Sequence, residues 1–361
     1  MHHKQRENEM SEIESIMIRA AEPDFPRHDT ASVVELADGT LMIVWHHFRR
    51  GPRAGHDEGL ARIFGKYSHD GSRTWDEERL LLDIEPGDVH VTAPALSLLP
   101  DGTLLLLALR SHRMDSSSME VYESGDNGRN FRLRSRVWSH SKGIRLQGGA
   151  SQLLLTAAGR LLIPCHGGNG PQGSQHNTAG CFYSDDGGYS WRESNSIDLP
   201  KRGAMEASVA ELEDGELVMS LRTQLSTVYL ARSTDGGATW SPAQSAGLQA
   251  PESCTCLRRL PGTDDLILFW NDSVFDPAHH HFGERVPLSA ARSSDRGRTW
   301  RKCGDIETAP GEYSNLGCTF LRDGRALVTY WSIFPPFDRT AVNLKAALIE
   351  RSWFDRNADP K

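Results

Sequence analysis

Apolar residues alternate with polar ones in short runs along nearly the whole chain, and tight turns break these runs into pairs. The run from Val33 to Trp45 carries an Asp38-Gly39 turn, and the run from Leu96 to Leu107 carries Asp101-Gly102. The arrangement returns around Ala158-Gly159, Asp214-Gly215, Asp264-Asp265 and Asp323-Gly324. A period of two marks strands, and an Asp-Gly step between two apolar strands marks a hairpin. Six hairpins are therefore predicted. No stretch has sustained helical periodicity.

A second pattern follows five of the six hairpins. Ser68 to Trp75, Ser124 to Phe131, Ser184 to Trp191, Ser233 to Trp240 and Ser293 to Trp300 share the template S-x-D-x-G-x-T-W. Their aspartates, Asp70, Asp126, Asp186, Asp235 and Asp295, lie 56, 60, 49 and 60 residues apart, long enough for one four-stranded sheet per repeat. The last hairpin has no box. The roughly 30 residues after Tyr330 suffice to finish its sheet, with help from a strand near Ile16 to Ile18. Six four-stranded antiparallel sheets that close on themselves make an all-β, six-bladed β-propeller, which leaves only short, protected edges. The expected organisation is one domain over residues 15–361 after a flexible segment, residues 1–14. Within each box the Asp is expected to accept bonds from its own turn, the Gly to take a positive φ, and the aromatic ring to plug the space between sheets. One carboxylate per turn supplies too few oxygens for a Ca²⁺ site, so no metal is expected.

Composition narrows this further. A length of 361 residues would by itself suggest two or three domains, but the repeat makes it six blades of one. Four of the nine Trp (Trp75, Trp191, Trp240, Trp300) are box residues, and much of the Gly excess (33 residues) is turn chemistry, so neither feature points to a ligand. Lys and Arg number 40 against 48 Asp and Glu, a net charge of −8. That balance lacks the basic field needed for non-specific nucleic-acid binding. No apolar run approaches the roughly 20 residues of a membrane span, and the polar start does not resemble a secretory leader. The expectation is a cytoplasmic protein with no nucleic-acid or membrane partner. The six cysteines are scattered without framework spacing and are expected to be buried thiols. No cofactor is expected, and oligomeric state is not legible.

The boxes resemble the Asp-box (BNR) repeats of the sialidase, or neuraminidase, superfamily, along nearly the whole chain. Three segments carry the resemblance into chemistry. Gly203 to Thr223 looks like the strand pair that bears a glutamate, here Glu206, and after the hairpin an arginine, here Arg222. Gly283 to Asp295 looks like the segment that begins with another arginine, Arg285, and Gly311 to Gly317 like the one bearing a tyrosine nucleophile, Tyr313. The order Glu, Arg, Arg, Tyr is the family's order. The resemblance implies a retaining exo-glycosidase that removes a terminal sialic acid or related acidic sugar from glycans.

The residue types suit that chemistry. A sialic acid carries a carboxylate on its anomeric carbon, so a neutral Tyr nucleophile avoids the repulsion a carboxylate would meet. A phenol with a pKa near ~10 attacks poorly unless a base takes its proton, the role implied for Glu206. Arginines clamp the sugar's carboxylate through bidentate, charge-assisted bonds, the role implied for Arg222 and Arg285.

The first blade departs from the pattern. Sialidases usually begin with F-R-I-P, whose arginine completes a triad; counting back from Asp38-Gly39 puts Asp29 at that place. Arg27, two residues earlier on the same face of an extended strand, is the candidate third arginine. Asp57 is the candidate acid/base, and Glu312, beside Tyr313, is an alternative acid.

Histidines keep a rival open. His28, His46, His47, His90, His112, His166, His176 and the run His279 to His281 fall at expected loop or strand ends. A pocket that pairs His, Tyr and Arg suits β-elimination on uronic-acid polysaccharides, with His or Tyr removing the C5 proton. A non-catalytic glycan-binding propeller is the third possibility.

Overall fold

The computed structural model describes residues 12–51, 57, 59–113, 116–139, 145–148, 152–169, 175–279, 282–337 and 340–355. Its strands form six antiparallel sheets, one for each predicted hairpin, arranged as a six-bladed β-propeller. Blade I contains Arg27–Glu35, Leu41–Phe48, Ala61–Ser68 and Arg79–Leu82. Blade II contains His90–Leu98, Leu104–Arg113, Ser116–Ser124 and Arg132–Ser139. In blade III the innermost place is shared by two short strands, Arg145–Gly148 and Leu154–Leu155, followed by Leu161–Asn169, His176–Ser184 and Arg192–Glu193. Blade IV contains Met205–Glu211, Leu217–Arg222, Thr227–Ser233 and Gln244–Gln249, and blade V Cys256–Arg259, Leu266–Asn271, Leu288–Ser293 and Arg301–Glu307. Blade VI contains Glu312–Phe320, Ala326–Ile333 and Asn343–Ile349, and its outermost strand is Ile13–Arg19 from the start of the chain. This pairing closes the ring. Residues 1–11 of the expected flexible start lie outside the described residues, and the strand begins at Ile13.

The boxes fold as turns held by their own side chains. In the first, Asp70 Oδ1 accepts from the Thr74 N–H at 2.9 Å and its Oδ2 from the Thr74 hydroxyl at 2.6 Å, while Ser68 Oγ takes the Ser72 N–H at 3.0 Å. The pattern repeats around Asp126, Asp186, Asp235 and Asp295. Two consecutive residues in each turn have positive φ, Gly71 and Ser72 in the first box and Gly236 and Gly237 in the fourth. The second is usually Gly because a Cβ there would press on the neighbouring blade: at Gly237 it would meet Leu162 at 2.8 Å.

Apolar residues from facing sheets form a separate core between each pair of adjacent blades, and the box aromatics enter these cores. Trp75 packs between blades VI and I, Phe131 between I and II, Trp191 between II and III, Trp240 between III and IV, and Trp300 between IV and V. The blade without a box is plugged as well. A short 3-10 turn, Arg351–Asp355, follows the third strand of blade VI and sends Trp353 and Phe354 into the core between V and VI. The fifth hairpin differs from expectation: its positive φ falls at Gly262 rather than at Asp264-Asp265, and Leu260 N bonds Asp265 O just before the returning strand begins at Leu266. All six cysteines are buried free thiols.

The inner strands of blades I, II, IV and VI share an irregularity that builds the axial region. Their registers break at Asp29/Ala31, Thr92/Ala95, Met205/Ser208 and Ser314/Gly317, which marks β-bulges. The residues in these breaks have positive φ: Thr30 (43°), Ala93 (50°), Glu206 (42°) and Asn315 (52°). Each stands eight residues before its hairpin residue Asp38, Asp101, Asp214 or Asp323. For side chains larger than Gly this backbone is uncommon, and the surrounding structure must enforce it.

If the aromatic plugs carry inter-blade packing, Trp240→Ala is expected to destabilise the propeller by about 3–5 kcal/mol, the range for a large buried aromatic. Trp353→Ala is expected to cost a similar amount although it lies in no box. Urea unfolding of the two variants checks this, and a Trp353→Ala loss near zero would remove it from the role of sixth plug.

Candidate active site

At three of the four bulges the backbone N–H faces the preceding blade rather than a strand partner, and a side chain of that blade accepts it. His46 Nδ1 takes the Ala93 N–H and His166 Nδ1 the Glu206 N–H, each at 3.3 Å, and Cys254 Sγ takes the Asn315 N–H at 2.9 Å. A ring nitrogen that accepts is unprotonated, so both histidines are neutral with the proton on Nε2. Burial, outweighing the attraction of Asp29, lowers His46 to about 4; burial, outweighing Glu206, does the same for His166.

Two groups of charged side chains occupy the bulged ends of the strands. The first belongs to blades I and VI. Arg27, almost fully buried, donates from Nη2 to Asp29 Oδ2 and to Asp57 Oδ1, both at 2.6 Å, and rests its guanidinium 4.5 Å from the centre of the Phe48 ring. Asp29 Oδ1 also accepts from the Thr30 N–H at 2.7 Å and from Asn315 Nδ2. Asp57 is half exposed.

The second group gathers residues of blades III, IV and V. Arg222 Nη1 donates to Glu206 Oε2 at 2.8 Å, and its Nη2 lies 3.5 Å from Glu252 Oε1. Glu252 is buried and also accepts from Arg202 and from Gln224 Nε2, the latter at 3.0 Å. Arg285, buried, approaches the Glu252 carbonyl at 3.4 Å and the Trp331 ring at 5.7 Å. Burial alone would raise Glu206, but Arg222, and more weakly Arg285, hold it below the ordinary carboxylate range. The backbone leading to Glu206 is set by Gly203, whose absent Cβ would lie 1.8 Å from the Asn177 carbonyl. Cys254 joins the two groups by lying against Ser314 and Asn315.

The structure thus brings Glu206, Arg222 and Arg285 together, and Arg27 together with Asp57. Tyr313 stands apart from Glu206. Its ring is 0% exposed, packs edge-on against Tyr330 and Phe334 in the core between blades V and VI, and its hydroxyl donates to the Ala309 carbonyl at 3.2 Å. Burial, reinforced by Glu307, raises this phenol to about 12. Between the described residues there is no hydrogen bond from the Tyr313 hydroxyl to the Glu206 carboxylate. The axial bulge position of that strand is held instead by Asn315, and Glu312 is buried at its start.

Glu252, Asn315 and Cys254 were not singled out as site residues in the sequence, and His46 and His166 were singled out only for the rival β-elimination reading. The eight-residue spacing from Asp323, shared by Glu206 with Asp214, was the signal for Asn315. Glu252 was signalled only by a charge beside the apolar run that starts at Cys254. Of the histidines, His28 and His47 are buried and pushed down to about 2 and about 3, mainly by burial, and His176 is exposed and bonded to Asp198. His280 and His281 lie outside the described residues, and among the described residues no group of three metal-ligating side chains occurs. Nor is any described helix long and apolar enough to cross a membrane.

The fold and this site define an Asp-box propeller with an axial set of arginines and carboxylates. The family described as BNR repeat-like domain matches residues 39–325, and the chain belongs to it, within the sialidase superfamily. It is similar to the sialidase of Micromonospora viridifaciens, 26% identical over 86% of this chain and 50% of that protein. It is also similar to the sialidase of Bacteroides fragilis, 24% identical over 80% of this chain and 56% of that protein. The chain therefore spans about half the length of these curated relatives. Among solved structures, the leech intramolecular trans-sialidase superposes with a TM-score of 0.71 at 15% identity, over 92% of this chain and 69% of that one, a likeness of fold.

The neutral histidines impose a pH dependence. Their ordinary value of 6.5 applies in the unfolded chain and about 4 in the folded one, so between these pH values the unfolded state binds more protons. Stability is complete above pH 6.5 and falls as pH drops toward 4, by on the order of 3 kcal/mol for each histidine. Thermal unfolding across pH 4–7 is expected to show this slope, shallower in His166→Gln; an unchanged slope in that variant would assign the acid lability to other groups.

Proposed function

We propose that the chain is a sialidase-type exo-glycosidase that takes a terminal sialic acid or related acidic sugar at the axial site. The observation that carries the reading is the convergence of Arg222 and Arg285 on the Glu206–Glu252 pair, a donor set suited to the planar carboxylate of such a sugar. Asp57, half exposed at the other side of the site, serves as acid/base at the glycosidic oxygen. A retaining path with Tyr313 as nucleophile and Glu206 as its base requires the Tyr313 hydroxyl to leave Ala309 and reach the axis.

That requirement favours one alternative, an acidic-glycan binder without turnover. The Tyr313 hydroxyl is held by the Ala309 carbonyl in the core between blades V and VI, while the arginines are in place to bind an acidic sugar.

Incubation with an aryl sialoside separates the two. Release of the aryl alcohol, reduced at least about 10³-fold by Tyr313→Phe and by Glu206→Gln, supports the retaining glycosidase. Release that survives Tyr313→Phe would remove Tyr313 from the mechanism. No release, with binding of a sialic acid weakened in Arg285→Ala, supports the binder. Ultraviolet absorbance from an unsaturated uronide, given a uronic-acid oligosaccharide, would overturn both in favour of a lyase.

A further inference from the structure

Arg27 is the arginine whose surroundings fit the role implied for it least well. Its Nη2 bridges two carboxylates at 2.6 Å, its Nε donates a second bond to Asp29 Oδ2 at 3.1 Å, and Phe48 covers one guanidinium face. Asp29 is in turn fixed by the Thr30 backbone and hydroxyl and by Asn315, whose own N–H is held by Cys254. A substrate carboxylate arriving here would have to displace two close bonds of 2.6 Å from one Nη2, whereas Arg222 holds one carboxylate at 2.8 Å and its Nη2 stands 3.5 Å from the second.

Resting on the acidic-sugar reading of the site, we infer that Arg27 is a positioning residue for the Asp57 carboxylate rather than a ligand of the sugar's acid group, and that Asn315 sets its place through Asp29. The chain of bonds runs from Cys254 through Asn315, Asp29 and Arg27 to Asp57, from the buried end of blade V to the half-exposed carboxylate of blade I. Each member is more buried than Asp57, so the chain presents one oriented carboxylate at the mouth of the site. A general acid/base needs this, because a loop carboxylate left to itself spreads over many rotamers. The sugar's carboxylate is then left to Arg222 and Arg285.

The test uses the full chain with 2-deoxy-2,3-didehydro-N-acetylneuraminic acid as the binding probe and an aryl sialoside as the turnover probe. The variants are Arg27→Lys, Asn315→Gly, which tolerates the positive φ, and Arg285→Lys. For Arg27→Lys and Asn315→Gly the expected result is a probe Kd within about threefold of the parent, with kcat lowered about tenfold or more and KM little changed. Arg285→Lys is expected to weaken probe binding by about tenfold or more. Weakened probe binding in Arg27→Lys comparable to that in Arg285→Lys, with kcat retained, would overturn the assignment and return Arg27 to the clamp. If the parent binds neither probe, the acidic-sugar reading fails by itself. A crystal structure of Asn315→Gly then decides the positioning role: Asp57 displaced from Arg27 supports it, and Asp57 unmoved overturns it.

Discussion

The axial region depends on one backbone constraint, the bulge that places a residue of positive φ near the start of four inner strands. A propeller brings its inner strands together edge to edge without pairing them, so their N–H groups need acceptors from elsewhere. The preceding blade supplies them: His46 for Ala93, His166 for Glu206, Cys254 for Asn315, and further along Ser32 for Leu96, Gln152 for Val209 and Ser208 for Leu257. The same bulge that costs strain directs Glu206 to Arg222 of its own blade and Asn315 to Asp29 of the next blade. Site and ring closure are thus parts of one hydrogen-bonded arrangement.

This coupling explains why the charged residues of the site tolerate burial. Arg27, Asp29, Glu252 and Arg285 are nearly inaccessible, and an isolated buried charge would cost several kcal/mol. Each arginine of the site adjoins carboxylate or carbonyl oxygens, and each of these carboxylates meets arginine, amide or backbone donors. Removing one member therefore perturbs its partners, and single substitutions here report on the network as well as on the residue.

Outside the axis the molecule is held by local devices repeated in each blade. The box turn satisfies its own donors, and its aromatic ring fills the gap to the previous blade. Where the last blade lacks a box, Trp353 and Phe354 reach the same kind of gap from a 3-10 turn at the corresponding place after the third strand. The packing requirement is kept while the sequence motif is absent.

The repeat, the blade number, the box turns and five of the six plugs were legible in the sequence, because each depends on residues within about a dozen positions of one another. The grouping of Glu206 with Arg222 was legible for a related reason, since a hairpin sets them on paired strands. The sixth plug was not, for no template marks Trp353. The axial network was not legible either: Asp29 and Asn315 are 286 residues apart, and only the closed ring brings them into contact. Tyr313 shows the limit most plainly. Its type and order in the chain match a nucleophile, but the bulge at Asn315 lies two residues later, and the face on which a strand residue falls is fixed by where the register breaks. Local spacing determined which elements form; the tertiary structure decided which side chains meet at the axis, because a bulge and an inter-blade contact are properties of facing strands rather than of one segment.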